Sequence, residues 1–322
     1  MSEPIRHERV LEAASEILGA VDREVLGQRA AAEALMAAYM AGGHALLEGV
    51  PGIGKTLLAR SFAACLGLRF ARLQFTPDLM PTDVVGMNLF DPSSRTFRLM
   101  RGPVFTQVLM ADEINRTPPK TQSALLEAMQ ERQVTIDGTS LALEPEFFVL
   151  ATENPVEFEG TYPLPEAQLD RFLVRIEMGL PDEASEIEVY RQAAGGRLGG
   201  WSGGALPTAR VTPDEARGLR ESSRQVHVAP DLLPYLARLA ASVRRSPHVE
   251  LGVSPRGALS LLETARAGAL LAGRDFVLPD DLKRFLIPCW GHRLILKAES
   301  ELEGQTARRI LEQAAAAVEV PR

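Results

Sequence analysis

The sequence predicts an α/β protein with a central five-stranded parallel sheet flanked by helices, followed by a small all-α domain. Three observations carry that expectation. Short apolar runs alternate with helical periodicity from about residue 5 to 180, the βαβα pattern of a parallel sheet covered on both faces. A Gly-rich run falls directly between an apolar strand and an amphipathic helix. Beyond residue 206 the composition turns rich in Ala, Leu and Arg with no strong strand pattern, as a small helical bundle requires.

The five strands are expected at 45–48, 69–74, 107–111, 147–151 and 172–177. Between them Leu58, Phe62, Cys65 and Leu66 share one helical face, and Leu125, Leu126 and Met129 share another. Cys65 therefore reads as core filler. In the C-terminal part Leu259, Leu262, Ala265 and Ala269 make one face of a helix that Gly273 ends. The stretch 194–205, Ala-Gly-Gly-Arg-Leu-Gly-Gly-Trp-Ser-Gly-Gly-Ala, is too Gly-rich to hold a regular element without a large entropy cost. It is expected to be a flexible loop between a domain at 1–193 and a helical domain at 206–322.

Length and composition narrow the function. A chain of 322 residues exceeds one core of common size, so two domains are expected. Lys and Arg number 35 against 42 Asp and Glu, a net charge of -7, and nucleic acid is therefore an unlikely partner because phosphate binding needs excess cation. Cys65 and Cys289 match no zinc or redox spacing, and the five histidines include no pair at i, i+4. No apolar run approaches a membrane span, and the charged N-terminus lacks a signal peptide's apolar stretch. The cytoplasm is the expected compartment.

The chemistry lies in three strand ends. Gly49-Val50-Pro51-Gly52-Ile53-Gly54-Lys55-Thr56 fits G-x-x-x-x-G-K-[ST] in the strand-to-helix context that the motif requires. Glycines let successive backbone N–H groups meet phosphates, and the helix N-terminus adds positive potential. Lys55 would reach the terminal phosphates of ATP and the Thr56 hydroxyl would ligate Mg2+; Leu57 continues the run into the helix. Val108-Leu-Met-Ala-Asp112-Glu113 is an apolar strand ending in two carboxylates, with Asp112 suited to the Mg2+ shell and Glu113 to polarising the attacking water. The strand 148–151 runs into Thr152-Glu153-Asn154-Pro155, where Asn154 could orient that water or sense the γ-phosphate.

These motifs sit within a resemblance that covers nearly the whole chain. The run from Asp112 through Glu-Ile-Asn-Arg-Thr-Pro-Pro-Lys-Thr-Gln-Ser-Ala-Leu-Leu-Glu-Ala-Met-Gln-Glu-Arg-Gln to Val134 resembles the MoxR family of AAA+ ATPases, as do Ala151-Thr-Glu-Asn-Pro155, 164–172 and Val253-Ser-Pro-Arg-Gly257. Glu153 departs from the family's Gln but leaves the neighbouring Asn154 amide intact. The Gly-rich stretch 194–205 departs as well.

The resemblance implies more than spacing does. It implies an AAA+ P-loop domain followed by a helical lid, assembled into a homo-oligomeric ring, usually a hexamer, with ATP between neighbours. Arg171 resembles the arginine finger supplied in trans, and Arg256 the sensor-two arginine of the lid. Arginine suits both tasks because its planar fork meets phosphate oxygens and stays charged. Val25-Leu-Gly27-Gln28 resembles the segment near adenine, which puts Gly27 beside the nucleotide. The segment 86–103 resembles the helix-2 insert, and Asp137-Gly138 suits a tight hairpin; in related rings such hairpins face the pore or the client. The implied function is ATP-driven remodelling or activation of protein clients, often a partner with a von Willebrand factor A domain or an enzyme needing cofactor or metal insertion. A nucleotide-gated scaffold with little turnover and a DNA-directed AAA+ motor are the alternatives.

Overall fold

The computed structural model describes residues 7–155, 160–195 and 206–321. Two helices lead, α1 (His7–Glu24) and α2 (Arg29–Met40), followed by β1 (Ala45–Glu48), α3 (Lys55–Cys65), β2 (Phe70–Gln74) and the short α4 (Pro81–Val85). A hairpin of β3 (Gly86–Asp91) and β4 (Thr96–Arg101) precedes β5 (Val108–Asp112) and α5 (Pro119–Glu131). A second hairpin, β6 (Gln133–Ile136) and β7 (Thr139–Ala142), leads into β8 (Phe148–Glu153), α6 (Glu166–Leu169), β9 (Val174–Glu177) and α7 (Glu183–Ala194).

The expected five strands form one sheet in the order β2-β5-β8-β1-β9, every pair parallel. Alternate residues serve opposite faces, as the pleat dictates. Val108, Met110, Phe148 and Leu150 join the core shared with α1, α2 and α3, whereas Leu109, Ala111, Val149 and Ala151 join the core on α5. Burial on both faces explains why these strands read as continuous apolar runs. Because the order crosses over twice, β1, β5 and β8 lie side by side and end on the same edge, where a parallel sheet of this kind binds ligands.

Past residue 205 come α8 (Pro213–Arg224), α9 (Leu232–Arg244), β10 (Val249–Leu251), α10 (Pro255–Leu271), α11 (Pro279–Trp290), β11 (Ile295–Leu296), α12 (Ala298–Leu302) and α13 (Ala307–Ala317). The region is helical as expected, with one small antiparallel pair, β10 and β11, too short for a periodic signal. Caps set the helix starts. Thr212 and Glu215 form a reciprocal capping box before Pro213, and the Ser254 hydroxyl accepts the Gly257 N–H before Pro255. The helices pack on α1 and α2 through the larger core. The buried Arg220 donates to the Tyr39 carbonyl at 3.0 Å and lies 4.3 Å over the Tyr39 ring.

One sequence expectation is corrected here. Leu262, Ala265 and Ala269 are buried on α10, but Leu259 is 59% exposed. Three residues advance a helix by 300°, so Leu259 lies roughly 60° beyond Leu262 and falls off the stripe defined by the buried Leu261 and Ala265. Of the expected loop at 194–205, residues 196–205 lie outside the described residues. Among the described residues no helix is long and apolar enough to cross a membrane.

Candidate nucleotide site

The loop between β1 and α3 is shaped by its glycines. Gly52 and Gly54 adopt φ of 85° and 94°, a left-handed backbone that costs other residues energy. A Cβ on Gly49 would come within 2.2 Å of Ile53 Cδ1 and 2.7 Å of the Met178 carbonyl, so this turn closes only on glycine. Among the described residues no side chain caps the N-terminus of α3, which leaves its first N–H groups for an anion. The Lys55 amine folds back onto the Gly49 carbonyl and lies 3.5 Å from that of Val50. It is a cation held close to where phosphates would sit.

Opposite the loop, β5 and β8 deliver the polar residues. Thr152 is fully buried; its hydroxyl donates to Asp112 Oδ1 at 2.6 Å and accepts the Glu113 N–H at 2.8 Å. Asp112 Oδ2 accepts from Arg72 Nε at 3.0 Å. Glu113 holds φ at 56°, an uncommon conformation for a residue with a side chain and one that gathers at functional sites. Its Oε2 accepts from Gln74 Nε2 at 2.7 Å and from Arg116 Nη1 at 3.1 Å.

Between the loop and the strand ends lies a cleft of about 400 Å³, lined by Pro51, Gly52, Gly54, Lys55, Thr56, Leu57, Arg60, Arg72, Asp112, Glu113 and Asn154. A second cleft of about 270 Å³ shares Pro51, Gly52, Gly54 and Leu57 with it. Val25, Leu26, Ile53, Leu180, Val189 and Tyr190 give this second cleft an apolar wall, suited to a flat ring attached to a phosphate chain. Gly27 lines neither cleft. At φ 73° it makes the turn that closes on Pro181, whose Cβ would stand 2.9 Å from a Cβ at that position.

Asn154 is 5% exposed and lies between the first cleft and a pocket at Glu48, Glu153 and Arg175. Burial, and then the Glu48 carboxylate, push the Glu153 carboxyl up to about 7 against the opposing pull of Arg175. Burial also raises Glu48. Cys65 is fully buried and its thiol is pushed up to about 11 by that burial, in keeping with a packing role.

The structure brings most, but not all, of the sequence-derived set together. Arg171 and Arg256 stand outside the cleft, and Arg256 Nε lies 3.9 Å from Asp170 Oδ2. Arg72, Gln74, Thr152 and the α7 wall were not among the candidates. Arg72 and Gln74 alternate on a strand that sequence located, and Gln74 pairs in register with Asp112; only the unknown strand order hid them.

A glycine cradle at a helix start, facing paired carboxylates at the end of another strand of the same parallel sheet, defines a P-loop nucleotide-binding protein. The profile of the ATPase family associated with various cellular activities (AAA) matches residues 44–174, and that of the AAA lid domain matches 241–314. The chain is 42% identical over 305 residues to the uncharacterized protein YeaC of Bacillus subtilis, covering 94% of this chain and 92% of that one. It is 40% identical over 288 residues to the chaperone MoxR1 of Mycobacterium tuberculosis, covering 86% and 74%. A crystal structure of an ATPase candidate from Cytophaga hutchinsonii matches with a TM-score of 0.90 at 38% identity, over 98% of this chain and 97% of the other. The chain is an AAA+ protein. Within that class it belongs to the MoxR family, whose named members support a chaperone-like role and nucleotide binding.

Proposed function

We propose that this protein hydrolyses ATP with Mg2+ and uses the cycle to remodel or activate a client protein. The observation that carries the reading is the glycine cradle of α3 facing Asp112 and Glu113, with Thr152 hydrogen-bonded to both. The residues present fit the group. Unblocked N–H groups suit phosphates, and the Thr56 hydroxyl and Asp112 carboxylate are the hard oxygen donors that Mg2+ takes.

In this reading residues 1–193 are the ATPase domain and 206–322 the lid. Gly49, Val50, Pro51, Gly52, Ile53, Gly54, Lys55 and Thr56 hold the phosphates, and Leu57 and the turn at Gly27 shape the base side. Thr56 and Asp112 hold the metal, Glu113 accepts a proton from the attacking water and Asn154 orients that water. Mg2+ bound with ATP supplies charge neutralisation on the transferred phosphoryl group. Arg171 acts on the nucleotide of the neighbouring subunit, and Arg256 reports from the lid. The assembly is a ring, a hexamer by resemblance, working in the cytoplasm on a client that carries a von Willebrand factor A domain or needs cofactor or metal insertion.

Steady-state phosphate release tests the hydrolytic step. The parental protein turns over and Glu113→Gln, which keeps Asp112, binds nucleotide with turnover reduced by about 10²-fold or more. Equal rates would remove Glu113 from the catalytic role. The same variant, holding ATP, is the bait for co-purifying the client.

A further inference from the structure

Arg293 ends the 3-10 turn 291–293 that follows α11, and its side chain is only 3% exposed. Buried arginine is rare and persists where its donors are met. Here most of them are met by one short segment of the other domain, and the rest by Cys289, His292 and Ser260 of the lid itself. Nε donates to Asp170 Oδ1 at 2.6 Å, and Nη2 to the Asp170 carbonyl at 3.1 Å and the Phe172 carbonyl at 2.8 Å. Nη1 donates to the Leu173 carbonyl at 3.2 Å and to that of Cys289. The adjacent His292 Nε2 lies 3.1 Å from the Phe172 carbonyl.

The segment so held, 170–173, contains Arg171. Its backbone is gripped on both sides of that residue by a single lid side chain, and Asp170 Oδ2 also faces Arg256 of the lid. The fork of the guanidinium meets several acceptors at fixed angles, which a lysine ammonium cannot reproduce. Among the described residues the Arg171 guanidinium itself takes no ion pair, so the held backbone is what sets the point from which its side chain reaches out.

We propose that Arg293 and Asp170 are a positioning pair that fixes Arg171 to the lid. This rests on the reading of Arg171 as a finger acting in trans. The lid then meets one carboxylate twice: Arg256 Nε faces Asp170 Oδ2 at 3.9 Å, and Arg293 holds Oδ1 and sets the finger offered to the next subunit. Loss of the pair leaves the chain's own pocket intact and spoils the neighbour's.

Mixed rings test this. Arg293→Lys keeps the charge and loses the fork. It is expected to show parental ATP-induced thermal stabilisation, and ATPase lower by about 10²-fold, the scale of a catalytic group misplaced by an ångström. Activity should return on mixing with Glu113→Gln, whose fingers are intact, and stay absent on mixing with Arg171→Ala. Rescue by Arg171→Ala and not by Glu113→Gln, rescue by neither, or a parental rate in Arg293→Lys alone would overturn the proposal. Arg171→Ala mixed with Glu113→Gln is the control. If that control stays dead, the trans reading fails and the proposal with it; if it recovers while the Arg293→Lys mixture does not, the positioning pair alone fails. Should Arg293→Lys not fold, Asp170→Asn carries the test from the more exposed end of the pair; because Asp170 also faces Arg256, rescue by Glu113→Gln supports the positioning pair, and rescue only by Arg171→Ala, or by neither, overturns it.

Discussion

Thr152 and Asp112 lock the ends of two neighbouring strands, the buried hydroxyl donating to Oδ1 at 2.6 Å. The same hydroxyl accepts the Glu113 N–H at 2.8 Å, so one oxygen fixes both the carboxylate proposed for the metal and the backbone of the proposed base. Thr152→Val keeps the shape and deletes the oxygen. Two buried polar groups would then lack a partner, a loss of about 1–3 kcal/mol each. We predict lower stability in denaturant unfolding and a higher Mg2+ requirement for ATPase. Parental values for both would show that Thr152 is a passive core residue.

Lys55→Ala removes the cation that rests on the Gly49 carbonyl and leaves the glycine cradle in place. The expected outcome is loss of ATP-induced thermal stabilisation, since that shift measures binding to the folded state alone. A variant stabilised by ATP as strongly as the parent would place the phosphates elsewhere.

How much of this was legible in the sequence follows from the range of the forces involved. The glycine loop and the five strands announce themselves because apolar runs and turn residues act locally. Strand order does not, since β2 meets β5 and β1 meets β8 across long stretches of chain. Arg72, Gln74 and Thr152 therefore stayed hidden although their strands were located. Leu259 was misplaced because a spacing of three residues drifts off a helical stripe. Arg293 looks like an ordinary charged residue in sequence, and only the fold shows that three carbonyls of the strand lead-in are its partners.

The two hairpins meet at their side chains, Asn88 Nδ2 donating to Asp137 Oδ2 at 2.9 Å. Asp137 and Gly138 take φ of 47° and 78°, the paired left-handed values of a tight turn. Nearby, Phe97 is 72% exposed, with Phe90 against it at a ring-centroid distance of 5.4 Å. Exposed aromatic side chains grouped this way mark contact surfaces. We predict that Phe90→Ser with Phe97→Ser leaves basal ATPase and the melting temperature nearly unchanged while weakening client recovery on a Glu113→Gln bait. Unaltered client recovery would remove the hairpin from the contact.

Glu153 gives a pH dependence with a definite sign. Burial is the largest cause of its raised value, the Glu48 carboxylate the next, and Glu48 pairs with it in register across β1 and β8. In the unfolded chain this carboxyl returns to the ordinary range near 4.3. Between there and about 7 the folded protein holds a proton that the unfolded chain releases. Stability therefore falls as pH rises through that window and levels off above it, by an amount of at most about 4 kcal/mol. Glu153→Gln, the residue that the family resemblance leads one to expect, removes the titration and keeps the shape. The variant should melt with the parent near pH 4 and above it at pH 8, and the gap should open between there and about pH 7 and then hold. Parallel melting curves for the two proteins from pH 5 to 8 would mean that Glu153 is ionised and satisfied throughout, and that Arg175 outweighs burial and Glu48 together.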